Sequence, residues 1–261
     1  MAKKKEPTGP VRTILEALDK VEKIQPRPAD DAAQALKKNY AEQLSRHLAT
    51  CLASALRKDF QGILPDKDGR GQESKARSRR SLKKLDVNYS TVEMGLGLGG
   101  SIKTLNFRDY SRGSEKLGRF SKNYSRNDNE LRAEATDYHL RQPYAVLVGI
   151  LFLPIESCDD GGKGASSFAA AVNYFRLRGG CQSPTDDVEL FERFFVGLYH
   201  HRGEQRGSAV FFDVIRHLPP KNGRPKEGKG IDFETMVEQI RVAYDERNNP
   251  PPRYADECGE A

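Results

Sequence analysis

Asp86 and the tripeptide Ser101-Ile102-Lys103 bring together the residue types that phosphodiester hydrolysis needs. A carboxylate can hold a divalent cation, and a lysine beside the attacking water and the reacting phosphate can offset developing negative charge. Residues 85–91 (LDVNYST), 93–100 (EMGLGLGG) and 101–106 (SIKTLN) read as three short strands in sequence, a meander. A carboxylate on one strand and a lysine on a neighbouring strand can point to the same place. Asp86 and Lys103 are therefore expected to converge on one cleft, with Ile102 on the opposite face from Ser101 and Lys103. Mg²⁺ asks only one or two carboxylates of a protein. It is the cation expected on Asp86 and one glutamate, for which Glu93, just before the glycine run, is a candidate.

Helices must hold that meander in place. Apolar residues recur at helical spacing over residues 11–24 and again over 29–58, with Pro26 and Pro28 between the two runs. Asn127 followed three residues later by Glu130 has capping-box character, so a helix is expected from Asn127 to the break at Pro143. Leu131, Ala135 and Tyr138 mark its buried face, and Glu134 reads as a solvent-facing charge. Residues 144–155 (YAVLVGILFLPI) are too few to span a bilayer and fit a central strand covered on both sides. Beyond it, helices are expected at 166–178 and 189–199, a strand at 208–215, and a last helix over 232–247 with Asp232 as its N-cap. The whole reads as an α/β fold, a central mixed sheet flanked by helices. Residues 1–28 form a basic N-terminal extension with a short helix, 29–250 a single domain, and 251–261 an irregular tail.

The pairing of Asp86 with Ser101-Ile102-Lys103, followed by a helix and an apolar strand, resembles the core of the PD-(D/E)xK nucleases. That core runs helix, three-strand meander, helix, strand, and the order here matches it over residues 29–155. The usual motif carries an acid where this chain has Ser101, and a proline where it has Leu85. A subgroup of restriction endonucleases with Ser or Thr before the lysine is more similar, and it supplies the second acid from elsewhere. The resemblance implies Asp86, Ser101 and Lys103 as catalytic residues. It also implies Glu115, twelve residues after Lys103, as a metal ligand, and Glu73 as the acid from the preceding helical region. What it implies overall is a restriction-endonuclease-like core, Mg²⁺, and cleavage of double-stranded DNA in restriction or anti-phage defence. Cutting both strands is most simply done by a homodimer.

Charge points the same way. The net charge is +6, and residues 1–85 hold about +9 of it against about −3 in the remainder. The excess is densest in residues 75–84 (KARSRRSLKK), where Arg77, Arg79 and Arg80 are suited to phosphates. A second basic group, Arg108, Arg112, Lys116, Arg119, Lys122 and Arg126, is interleaved with Phe107, Tyr110, Phe120 and Tyr124. The cations would meet phosphates and the aromatics could stack or wedge. The four cysteines form no CxxC pair, which speaks against structural zinc and for a reducing, cytoplasmic setting. The glycines at 95–100 lack the phosphate-loop pattern and are expected in a tight turn or against a substrate backbone. His200-His201 fits a surface loop better than a metal site. Two rivals share these features: a non-catalytic nucleic-acid-binding protein, and a structural subunit whose basic arm meets an acidic partner.

Overall fold

A computed structural model describes residues 9–75, 83–91, 94–111 and 113–249. Helix α1 (Ile14–Ile24) starts where the Thr13 hydroxyl accepts the Glu16 N–H. Helix α2 (Gln34–Leu56) buries Tyr40, Leu44, Leu48 and Leu52, the stripe that the helical spacing marked out. Strands β1 (Val87–Thr91) and β2 (Gly95–Thr104) form an antiparallel hairpin. A small ribbon of β3 (Tyr110–Ser111) and β4 (Lys116–Leu117) follows. Then come α3 (Tyr124–His139), β5 (Val146–Pro154), α4 (Ser167–Phe175), β6 (Arg193–Tyr199), β7 (Ala209–Asp213) and α5 (Phe233–Arg247).

The main sheet is mixed, in the order β1-β2-β5-β6-β7. Its centre, β2-β5-β6, is parallel, and antiparallel β1 and β7 border it. Helices cover both faces. One core packs α1, α2 and α5 against Val148, Ile150 and Phe195. The other packs α3 and α4 against Leu147, Leu151 and Phe194. Among the described residues no helix is long and apolar enough to cross a membrane. Cys51, Cys158 and Cys181 are buried and free.

Several expectations of the sequence are corrected. The meander has two strands, because 95–104 runs as one continuous β2 through the glycines. Gly95, with φ 73°, closes the hairpin turn opposite Thr91, as expected, while the glycines after it run on within the strand. A Cβ at Gly99 would stand 2.8 Å from the Leu147 and Leu85 side chains, so their role is close approach within the core. Residues 189–199 are not a helix. They enter β6, whose run is buried between β5 and β7, and an apolar run covered on both faces shows no period that separates strand from helix. The helix expected from Asn127 begins at Tyr124, directly after a short 3₁₀ turn, and Asn127 lies inside it. The cap at Asp232 is as expected, accepting the Thr235 N–H at 2.7 Å.

Candidate active site

Strand β2 outruns β1 at its carboxyl end, and the chemistry-bearing residues gather on that overhang. Val87 pairs with Gly100, and the Asp86 N–H donates to the Gly100 carbonyl at 3.0 Å, so Asp86 stands opposite Ser101. Beyond this point β1 offers no partner to the outer edge of β2. The Asp86 carboxylate takes over, accepting the Ile102 N–H at 2.7 Å. On the same edge the Ser45 hydroxyl of α2 donates to the Ile102 carbonyl at 3.3 Å. Alternation along β2 puts Ser101 and Lys103 on the face of α3 and buries Ile102 beneath α2.

Helix α3 answers with a stripe at four-residue spacing, Arg126, Glu130 and Glu134. Lys103 Nζ donates to Glu134 at 3.1 Å and to Glu130 at 3.3 Å. The Ser101 hydroxyl donates to the second oxygen of Glu134, and Arg126 reaches Glu130 at 3.0 Å. Glu134 is only 13% exposed, so its reading as a solvent-facing charge is overturned. The signal was present in the sequence. Glu134 lies three residues after buried Leu131 and four before buried Tyr138, on the stripe that faces the core.

The electrostatics are those of a crowded site. Burial pushes the Asp86 carboxyl up to about 6. The Ile102 N–H and Lys103 pull it back, while Glu134 and Glu73 add to the rise by like-charge repulsion. Burial alone would lower the Lys103 ammonium, but Glu134, Asp86 and Glu130 outweigh it and hold the value above the ordinary one. Burial would raise Glu130, and Lys103 and Arg126 bring it below the usual range. The like-charge repulsion between Asp86 and Glu134 is one that a bound divalent cation would relieve. Among the described residues no group of three or more His, Cys, Asp or Glu is arranged to cage a metal.

The other expected acids fare differently. Glu73 lies in a turn with φ 50°, 3.9 Å from Lys84 and within electrostatic reach of Asp86. Glu115 is exposed in the β3–β4 turn with φ 53° and takes no part in the cluster around Lys103. The acid that the structure does place beside Lys103 is Glu134. Glu93, Arg77, Arg79, Arg80 and Arg112 lie outside the described residues.

A cleft of about 430 Å³ opens beside Lys103 between α2 and α3. Lys37, Lys38, Arg108, Lys122 and Arg126 line it, with Glu42 and Glu130. Arg108 Nε and Asn127 Nδ2, both on lining residues, are buried without a hydrogen-bond partner. Lys122 holds Asp109 at 2.5 Å. Three expectations for this region change. Arg119 turns away from the cleft, tied to Asp160 and the Ala165 carbonyl, and so anchors the ribbon. Lys116 is exposed on β4 and outside the cleft lining. The aromatics are mostly committed to packing: Phe120 and Tyr124 are core residues, and Phe107, which lines the cleft with Phe120, carries the Arg27 guanidinium 4.7 Å from its ring centroid. At the same carboxyl end of the parallel strands, just past β5 and β6, His201 pairs with Glu156 at 3.2 Å.

No family model, curated protein or solved structure matches this chain.

Proposed function

We propose that this chain is a Mg²⁺-dependent endonuclease that hydrolyses double-stranded DNA, of the restriction or anti-phage defence type. The observation that carries this reading is the meeting of Asp86, Ser101, Lys103 and Glu134 at the carboxyl end of β2, where Lys103, alone of the four, lines a cleft rich in cations. The order α2, β1–β2, α3, β5 resembles the PD-(D/E)xK core, with a two-strand hairpin in place of the meander. The second acid comes from α3 rather than from the strand or from Glu115.

Asp86 and Glu134 would hold the ion, which when bound supplies a Lewis acid and an activated water. Lys103, oriented by Glu130 and Glu134, is placed to contact the reacting phosphate and offset its growing charge. Ser101 fixes the rotamer of Glu134. Lys37, Lys38, Arg108, Lys122 and Arg126 would neutralise flanking phosphates. A two-fold dimer would bring one such site to each strand. One observation favours the non-catalytic rival: Lys103 is fully engaged by two glutamates, as in a structural ion-pair network. Incubation with plasmid DNA separates the two. Cleavage that appears with Mg²⁺ and stops with chelator supports the nuclease, whereas salt-sensitive binding with intact plasmid supports the rival.

A further inference from the structure

A second cavity, of about 290 Å³, lies away from Lys103. Arg193 opens β6 and Asp213 closes β7, both at the end of the sheet where the parallel strands begin. Phe194 belongs to the core under α3 and α4, and Phe195 to the core under α2 and α5. By alternation Arg193 shares the face of Phe195, opposite to that of Lys103. Arg216 and the last turn of α5 complete the wall.

The polar groups here are not satisfied by one another. Arg193 Nε and Asp213 Oδ2 are both buried without a hydrogen-bond partner, and the Asp213 side chain is 2% exposed. Arg193 stands 3.9 Å from that Asp213 oxygen and 4.0 Å from Glu246, and Arg216 is also 3.9 Å from Asp213. None of these distances is a hydrogen bond. The neighbouring pair is different: Arg247 meets Glu192 at 2.6 Å, and Glu192 also accepts the Leu147 N–H at 2.6 Å. Burial lowers the Arg193 guanidinium from its ordinary value, and the nearby Arg216 lowers it further. A buried donor and a buried acceptor that both lack partners are costly, so the cavity calls for a group that offers oxygens to two guanidinia and a hydrogen to a carboxylate.

We propose that Arg193, Arg216 and Asp213 form a binding site for a hydrogen-phosphate group. Its anionic oxygens accept from the two arginines, and its P–OH donates to Asp213 Oδ2. Sulfate has similar size and charge but carries no proton near neutral pH. It would set a bare oxygen against the Asp213 carboxylate, so the site selects phosphate over sulfate.

The test uses the full chain without divalent cation, near pH 7, in thermal melts and titration calorimetry with inorganic phosphate and with sulfate at matched ionic strength. Phosphate is expected to raise Tm and sulfate to raise it much less. Arg193→Gln should abolish the phosphate response, and Arg216→Gln should weaken phosphate binding roughly tenfold, the loss of one charged hydrogen bond. Asp213→Asn keeps an oxygen for the Ile215 and Arg216 N–H groups and supplies an amide donor, so sulfate should then match phosphate. Equal responses to both anions in the native chain would overturn the site, as would a phosphate response that survives Arg193→Gln, since it would then belong to the cleft beside Lys103. If Arg193→Gln does not fold, Arg216→Gln decides: unchanged phosphate affinity overturns the assignment. No arm depends on DNA cleavage.

Discussion

Glu134 holds Ser101 with one oxygen and Lys103 with the other, so it both orients the lysine and completes the pair of acids with Asp86. Glu134→Gln is expected to lower Mg²⁺-dependent cleavage by ~10²–10³-fold, the scale of losing one group that stabilises developing charge. Glu115→Gln should cleave like the native chain; gel time courses of the two variants, with equal loss in both, would contradict the assignment. The grouping of Asp86, Ser101 and Lys103 was legible in the sequence because strand alternation places Ser101 and Lys103 on one face and strand pairing sets Asp86 opposite Ser101. Glu134 was not, because its partner lies on another element, thirty-one residues from Lys103. Asp86 also makes a pH prediction. Its folded value of about 6 lies above the ordinary carboxylate value. Between the two the folded chain keeps a proton that the unfolded chain releases, so this group favours folding at low pH, and its contribution fades as pH rises through that window. Asp86→Asn keeps an acceptor for the Ile102 N–H and escapes the cost of the buried charge. Its stability at pH 8 should equal or exceed that of the native chain, by on the order of 1 kcal/mol, seen as an equal or higher melting temperature. A clear drop there would mean that Asp86 is a stabilising ion-pair partner. Cleavage should climb across pH 6 on its acid limb, since only the ionised carboxylate holds a cation.

Among the elements, β2 and β6 show where sequence patterns stop being informative. Glycines usually punctuate strands, yet in β2 they let Leu85, Val87 and Leu147 pack against the backbone. The strand therefore continues to Lys103 and overhangs β1, which is what leaves Ile102 N–H for Asp86. In β6 the aromatic run is buried on both sides, and no face was left to reveal a period of two. Helices α1, α2 and α5 were legible to within a few residues, because each keeps one polar face. The same close packing predicts a stability effect. Alanine at Gly149 of β5 would drive a Cβ into the ring of Phe194, which is stacked on Phe175 with centroids 5.0 Å apart and cannot yield freely. Urea denaturation of Gly149→Ala should show a loss of about 1–3 kcal/mol, the usual cost of overpacking. An unchanged midpoint would mean that the sheet relaxes there.

At the scale of the whole molecule, the cleft between α2 and α3 collects cations from three elements and opens at Lys103. Binding to duplex DNA should therefore weaken steeply with salt, as phosphate contacts release counterions. Lys37→Ala with Lys38→Ala, on the α2 wall, should flatten the slope of log affinity against log salt by about 1–2. Fluorescence anisotropy at several salt concentrations measures it, and an unchanged slope would place the DNA elsewhere. The most direct test of a nuclease built on this cluster compares the native chain with Lys103→Ala. Plasmid cleavage is followed with Mg²⁺, duplex binding is titrated with Ca²⁺, and folding is checked by thermal melts. Removal of a group that acts on the transition state should abolish cleavage while affinity stays nearly constant. Full cleavage by well-folded Lys103→Ala, or no Mg²⁺-dependent cleavage by the native chain, would contradict it.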